Sequence, residues 1–257
     1  MKPVLIDFGW FQLRSYGLFV SLGIIVAFLV ALSAAKRRKI NEDDMYNLGF
    51  FILIPAVIGA RLAYVFSEWS YYAANPGEIL AIWHGGLASY GGIFGGILGG
   101  IFYASYKKLD FLNLADAVAL GLPVGFAIGR IGCFFNGCCY GIACNSPISF
   151  VFPAIGDDVP HLATQLIESA YSLLIFGFLL YLDKRAVQNG VLFFSFLGLY
   201  GFFRFLNEFL RLNPKVFLGF SGSQLSSLAL ILVSLAYFFG QKLTKKKIGN
   251  VGKTRRS

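Results

Sequence analysis

The sequence predicts an all-α membrane protein with seven transmembrane helices, its N-terminus outside the cell and its C-terminus in the cytoplasm. Hydrophobic residues make up 57% of the chain and charged residues only 14%, and the mean hydropathy is +0.68. This balance lies well outside that of a soluble domain. Apolar runs long enough to cross a bilayer recur along the chain, and basic residues cluster after alternate runs.

The apolar runs number seven, and they define the predicted helices. We expect membrane spans at residues 16–35, 48–68, 87–106, 112–131, 164–183, 190–207 and 223–240. Residues 1–240 are predicted to form one membrane domain, and residues 241–257 a basic cytoplasmic tail. The first fifteen residues lack a basic segment followed by a small-residue cleavage site, so we expect no cleaved signal peptide.

The basic clusters predict the orientation. They follow the first, third, fifth and seventh spans, at residues 36–39, 107–108, 184–185 and 242–247. All four then lie on one face, which the positive-inside rule assigns to the cytoplasm. The same clusters account for much of the net charge of +9. We therefore predict anionic membrane lipids as partners of the basic residues, and no nucleic acid.

Three arginines interrupt three different spans near the predicted outer surface. Arg61 lies in the outer half of the second span, Arg130 ends the fourth, and Arg204 is near the end of the sixth. Such arginines can be interfacial side chains that reach lipid headgroups, but charges in a membrane usually face the bundle interior and have a partner. Arginine suits phosphate because its hydrogen bonds are forked. We predict a phospholipid phosphate site open to the outer leaflet, with His84 and Tyr90 at the mouth of the third span.

The end of the sixth span carries a narrow polar face. Arg204, Asn207, Glu208 and Arg211 recur at the spacing of one side of a helix. A structural ion pair between Arg204 and Glu208 is one interpretation, and part of a ligand site is the other.

Small residues also mark the third span. Its glycines recur at every fourth position, in two series that would let a neighbouring helix approach closely: Gly91, Gly95 and Gly99, and Gly92, Gly96 and Gly100.

The segment 129–141 reads Gly-Arg-Ile-Gly-Cys-Phe-Phe-Asn-Gly-Cys-Cys-Tyr-Gly. It resembles the signature Gly-Arg-x-Gly-Asn-Phe-x-Asn-Gly-Glu-x-x-Gly of the bacterial prolipoprotein diacylglyceryl transferases. Only two specified positions differ, since Cys133 stands at the signature asparagine and Cys138 at the glutamate. Further similar stretches extend over nearly the whole chain, including residues 83–92, 164–169 and 222–224.

The resemblance implies a seven-span enzyme of the bacterial cytoplasmic (inner) membrane, with its active site facing the outer leaflet. It would transfer the diacylglyceryl group of phosphatidylglycerol to the lipobox cysteine thiol in the signal peptide of a prolipoprotein, and it would need no cofactor. Arg130 and Arg204 would hold the phosphate and stabilise the leaving group. Asn136 would bind headgroup oxygens, and Glu208 would orient Arg204 or handle protons. Arg61 is included with the phospholipid-binding residues.

Three residues are candidates for the general base that takes the thiol proton. Tyr90 stands where many members of the family carry a histidine, and a tyrosine is a poor base unless arginines lower its pKa. His84 is an alternative, and Cys138 is another because a thiol near arginines can be deprotonated.

All four cysteines lie within twelve residues, at 133, 138, 139 and 144. In an oxidising outer compartment, disulfides among Cys133, Cys138, Cys139 and Cys144 are the first expectation. The spacing C-x4-C-C-x4-C differs from familiar zinc and iron–sulfur patterns, so we predict no metal site. Redox or covalent chemistry is the third interpretation.

Three other functions compete with the predicted one. A family paralogue would transfer lipid to another acceptor, a membrane thiol oxidoreductase would depend on the cysteines, and a lipid-binding protein would need no base. The oxidoreductase is less favoured because such proteins generally carry cysteine pairs in separate loops or a C-x-x-C pair, and this chain has neither.

Overall fold

The computed structural model describes residues 3–7, 12–82, 85–156, 158–185 and 187–254. Helices dominate them, as predicted. The eight α-helices of the described residues are α1 (Ser15–Arg37), α2 (Glu42–Ser67), α3 (Trp69–Ala74), α4 (Ser89–Lys107), α5 (Phe111–Asn136), α6 (Thr164–Lys184), α7 (Val191–Glu208) and α8 (Gly222–Thr254).

Six of these helices are long and apolar enough to cross a membrane: α1, α2, α5, α6, α7 and the part of α8 from Gly222 to Leu243. The chain is therefore a multi-pass membrane protein. The predicted third span corresponds to α4, whose six glycines dilute its apolar residues. The count of seven spans and the orientation stay predictions.

Short polar signals set several helix ends. The Asn41 side chain accepts a hydrogen bond from the Asp43 amide at the start of α2, and Asp110 accepts bonds from the first amides of α5. The buried Asp116 carboxylate of α5 accepts bonds from the amides of Gly190 and Phe193, both at 2.8 Å. A side chain on one helix thus caps the N-terminus of α7.

Three antiparallel hairpins accompany the helices and were not predicted. They pair β1 (Val4–Asp7) with β2 (Gln12–Arg14), β3 (Ser149–Val151) with β4 (Pro160–Leu162), and β5 (Lys215–Phe217) with β6 (Phe220–Ser221). The third hairpin joins α7 to α8 and contributes side chains to the site below.

The chain divides into two compact units. One comprises residues Leu32–Ala115, and α2 packs along α4 within it. A Cβ atom at Gly91 would overlap the Gly59 carbonyl oxygen, and one at Gly95 would overlap that of Pro55. Backbone therefore meets backbone along this pair, which is the close approach that the glycine series predicts.

The other unit comprises residues Met1–Ala31 and Asp116–Ser257. Here α7 packs along α8 and beside α6, and the N-terminal part of α1 lies against α5. A Cβ atom at Gly121 of α5 would overlap the Ala27 carbonyl oxygen of α1. The polar network described next lies within this unit.

Candidate active site

An ion pair between two helices forms the centre of the polar network. Arg130, in the second-last turn of α5, donates from Nη2 to Oε1 of Glu168 on α6 at 2.8 Å. The Glu168 side chain is only 2% exposed and that of Arg130 is 24% exposed. A buried carboxylate thus fixes the guanidinium while leaving it accessible.

The Glu168 carboxylate also binds α7. The Tyr200 hydroxyl donates to its Oε1 at 3.2 Å, and the Asn207 amide nitrogen donates to its Oε2 at 3.4 Å. Both oxygens are therefore occupied by neutral donors or by Arg130. Sequence reasoning did not identify Glu168 as the partner of Arg130, although an acidic residue inside a predicted span is itself a sign of a site.

The second arginine has a carboxylate of its own. Arg204 donates from Nη1 to Oε2 of Glu208 at 2.6 Å, and from Nη2 to the Ser223 hydroxyl of α8 at 3.1 Å. Its side chain is 11% exposed, whereas that of Glu208 is 1% exposed. The spacing of four residues on one helix brings the two groups together.

The third hairpin completes the shell around Glu208. Glu208 Oε1 accepts hydrogen bonds from the hydroxyl of Ser221 in β6 at 2.6 Å and from the side-chain amide of Asn213, just before β5, at 2.7 Å. The Ser221 hydroxyl in turn accepts a bond from the Gln224 amide at 3.2 Å. Glu208 is therefore held on every side, in a position to orient Arg204.

Several buried polar atoms near these pairs have no hydrogen-bond partner among the described residues. They include Asn207 Oδ1 in the last turn of α7, Arg211 Nε just after that helix, and Gln165 Oε1 and the Tyr171 hydroxyl on α6. Buried polar groups are normally paired, so these helix faces favour a polar ligand.

Charge favours an anion. Arg130, Arg204 and Arg211 all come from this unit, and Glu168 and Glu208 compensate two of the three positive charges. Among these five side chains, one positive charge remains. Two forked guanidiniums beside that surplus form a suitable site for a phosphate group.

The signature segment folds as a helix cap. The Cys138 amide donates to the Cys133 carbonyl, and the Gly137 amide donates to that of Phe134, both at 3.1 Å. This is the Schellman motif, with Gly137 at φ +76° in its left-handed position. The motif folds residue 138 back over residue 133, which brings their side chains together. Asn136 is the last residue of α5, and its side chain lies beside the Cys138 thiol.

Three of the four cysteines form a cluster. The Sγ atoms of Cys133, Cys138 and Cys139 all lie within 4.8 Å of one another, and Arg130 Nη1 lies 3.9 Å from Cys133 Sγ. Hydrogen bonds from Cys133 and Cys138 hold the pKa of the Cys139 thiol well below its usual range, and Arg211 and Arg130 lower it further.

The expectation of disulfides stays a prediction. All four cysteines are free thiols in the structure. Cys144 is separate from the cluster, with its Sγ 3.2 Å from the Ser149 hydroxyl.

Arg61 lies in the other unit, where it binds backbone. Its guanidinium donates to the carbonyl oxygens of five residues, all in the loop before α4: Glu78, Ile79, Ala81, Gly85 and Gly86. The side chain also lies over the Tyr72 ring, 5.2 Å from its centroid. These contacts favour a role in shaping the loop rather than in lipid binding.

Of the three candidate bases, Cys138 belongs to the cysteine cluster above, and Tyr90 lies in the same unit as Arg61. Tyr90 is the second residue of α4 and is 65% exposed. His84 lies outside the part of the chain that the structure describes.

Comparison with known proteins gives a consistent result. The family model for prolipoprotein diacylglyceryl transferase matches residues 3–240. Proteins named phosphatidylglycerol–prolipoprotein diacylglyceryl transferase are similar over almost their full lengths. The one from Geobacter sulfurreducens is 37% identical over 97% of this chain and 98% of its own. Those from Listeria welshimeri and Trichormus variabilis are 33% and 36% identical, over 95% and 91% of this chain and 91% and 87% of theirs.

Proposed function

The chain belongs to the prolipoprotein diacylglyceryl transferase family, and we propose that it transfers the diacylglyceryl group of phosphatidylglycerol to the lipobox cysteine of a prolipoprotein. The cysteine sulfur forms a bond to the glycerol carbon, the bond from that carbon to the phosphate oxygen breaks, and glycerol phosphate leaves. The thiol proton passes to a base. The products are a thioether and a phosphate monoester.

One observation supports the proposal above the others: two arginines on two helices, Arg130 and Arg204, are each fixed by a buried glutamate. Negative charge grows on the phosphate oxygen as the bond breaks. Donors aimed at developing charge in a site with little water contribute about 2.7–4 kcal/mol each. Because Glu168 and Glu208 orient the guanidiniums beforehand, little reorganisation is needed during the reaction.

We assign positioning roles to both glutamates. Each carboxylate accepts three hydrogen bonds that fix its orientation, which suits it to hold an arginine in place. Asn136, at the end of α5, is proposed to bind headgroup oxygens.

The base is proposed to be Tyr90, with His84 and Cys138 as alternatives. Tyr90 lies in the first turn of the helix that follows the loop held by Arg61. We therefore propose that Arg61 acts on the reaction through this loop and not through the lipid.

The membrane context completes the proposal. We propose that the protein lies in the bacterial cytoplasmic membrane with seven spans, that α4 is the third of them, and that the site opens to the outer leaflet. The basic clusters at the predicted cytoplasmic ends support this orientation.

A transfer assay tests the function. Purified protein is mixed with phosphatidylglycerol and a lipobox peptide, and the mass of the peptide is measured by mass spectrometry. We expect a gain of one diacylglyceryl group, and no gain for the peptide whose cysteine is replaced by serine. Lipid binding without any adduct would contradict the proposal and favour another acceptor or a lipid-binding protein.

A further inference from the structure

We propose that Cys133, Cys138 and Cys139 bind a thiophilic d10 metal ion, Zn²⁺ or Cu⁺, through their three sulfur atoms. The three Sγ atoms lie within 4.8 Å of one another. A zinc–thiolate bond is about 2.3 Å long, so thiolates that share one ion lie about 3.8–4.0 Å apart. Side-chain rotations that bring the sulfurs closer by about 1 Å suffice. The inference is independent of the proposed transfer activity.

The backbone that carries the three sulfurs is fixed by contacts of its own. The helix cap ties the Cys138 amide to the Cys133 carbonyl at 3.1 Å. The carbonyl of Cys138 accepts a hydrogen bond from the Gln165 side chain, and that of Cys139 accepts one from the Thr164 hydroxyl at 2.7 Å. The backbone of the site is therefore already ordered before an ion binds, and binding would cost little backbone entropy.

Positive side chains lie beside the three sulfurs, which would bind a metal ion as thiolates. Arg130 Nη1 lies 3.9 Å from Cys133 Sγ, and Arg211 places a second positive charge near Cys139. Binding displaces the thiol protons to solvent. Three thiolates leave one net negative charge on Zn²⁺ and two on Cu⁺. The one positive charge that Glu168 and Glu208 leave uncompensated balances the first fully and the second by half.

The donor set selects the class of ion. Hard cations such as Mg²⁺ and Ca²⁺ require oxygen ligands, whereas thiolates select Zn²⁺ and Cu⁺. Three sulfurs leave a fourth position open on Zn²⁺, and they are one short of the four cysteines that hold an iron–sulfur cluster. The linear spacing of the cysteines did not predict this site, because the helix cap brings together residues that are five apart.

Cys144 provides a matched control. It is the remaining cysteine of the chain and lies in the same loop region, but its sulfur pairs with Ser149 and is not one of the three clustered atoms. Replacing it removes one thiol without touching the cluster.

The experiment uses the full chain, purified in detergent, reduced and stripped with a chelator. It is then titrated without oxygen with Zn²⁺ or Cu⁺, and with Cd²⁺ as a spectroscopic probe of thiolate-to-metal charge transfer. We expect one ion per chain for the wild type and for Cys144→Ser. We expect each serine variant of the cluster to bind the ion more than about 100-fold more weakly, because loss of a contact that only supports a ligand already costs about 10- to 100-fold. These variants are Cys133→Ser, Cys138→Ser and Cys139→Ser. Competition between Zn²⁺ and Cu⁺ identifies the preferred occupant.

The proposal would be overturned if Cd²⁺ gave no charge-transfer absorption with the reduced wild type. It would also be overturned if Cys144→Ser weakened ion binding as much as the three cluster variants do. A protein that is isolated two hydrogens lighter and binds no ion after reduction would overturn it in favour of a disulfide.

Alkylation of the wild type keeps the test valid if a serine variant does not fold. Bound Zn²⁺ should protect the three clustered cysteines from N-ethylmaleimide and leave Cys144 reactive, whereas the same labelling with and without Zn²⁺ would contradict the site.

Discussion

Arg130 and Glu168 form a 2.8 Å ion pair that joins the end of α5 to the start of α6, and the carboxylate partner is almost completely buried. The pair matters because Cys138 stands where the family signature has a glutamate. A carboxylate from another helix therefore orients the signature arginine, whatever the thiols do.

Replacing Glu168 by glutamine tests this dependence. The amide keeps the shape but removes the charge that fixes Arg130, so we expect transfer to fall by about 100-fold. Breaking one partner of a buried pair also costs about 3–5 kcal/mol of folding free energy, so the melting temperature should fall too. Glu68→Gln changes an exposed carboxylate and should alter neither quantity. Full transfer activity of Glu168→Gln would show that Arg130 does not depend on the Glu168 charge.

The two arginines should behave alike because each is held by its own glutamate. Arg130→Ala and Arg204→Ala each remove a charge-assisted phosphate contact worth about 2–4 kcal/mol, so turnover should fall by about 100-fold or more. Arg130→Lys and Arg204→Lys should recover only part of the loss, since lysine lacks the fork. Initial rates of peptide lipidation measure these effects. The exposed Arg37, replaced by alanine, is the control, and unchanged transfer by both site variants would refute the phosphate site.

Ser221 tests whether the third hairpin positions Glu208. Ser221→Ala removes a 2.6 Å hydrogen bond to the buried carboxylate, and such a bond to a charged group contributes about 1.5–3 kcal/mol. We expect the catalytic rate to fall by about tenfold, and because Arg204 keeps its charge, we expect KM for phosphatidylglycerol to change less. Ser226→Ala removes an exposed hydroxyl from the same region and should behave as the wild type. Equal effects of the two variants would argue against the role of the hairpin.

Arg61 makes a different prediction, since its five acceptors are backbone carbonyls of one loop. Arg61→Ala and Arg61→Lys should both speed hydrogen exchange in peptides that cover residues 76–88, because an ammonium group does not reach five carbonyls. Binding of phosphatidylglycerol should weaken less than in Arg130→Ala. If hydrogen exchange stayed as slow as in the wild type while lipid binding was lost, Arg61 would instead be a lipid-binding residue.

The sequence predicts the helices better than it predicts the site. Hydropathy predicts seven spans, and six of them coincide with helices long and apolar enough to cross a bilayer, because a bilayer imposes their length and composition. The polar face of α7 is also visible, since Arg204 and Glu208 are four residues apart. Glu168 and Arg130 are 38 residues apart and meet only through helix packing, which no local pattern describes. The acceptors of Arg61 are main-chain atoms, which have no sequence signature at all.

The cysteines lie between these cases. Four residues separate Cys133 from Cys138, and the spacing predicts no contact until Gly137 is recognised as the left-handed residue of a helix cap. That cap is recognisable from sequence as a glycine after an apolar helix. The third sulfur is not, because Cys139 takes a positive φ of 66° that its residue type does not favour.

The packing of α2 on α4 gives the last prediction. Gly99 faces the Phe51 carbonyl oxygen, and a Cβ atom there would overlap it, whereas a Cβ atom at Gly100 would meet only the Ile52 side chain at 3.7 Å. Gly99→Ala must therefore push the helices apart, at a cost of about 1–3 kcal/mol, and Gly100→Ala fits without movement. Both changes raise helix propensity equally, so the difference between their melting temperatures in detergent isolates the packing. We expect Gly99→Ala to melt at a lower temperature than the wild type and Gly100→Ala at the same temperature or higher. Equal melting of the two variants would show that α2 and α4 do not meet backbone to backbone at this point.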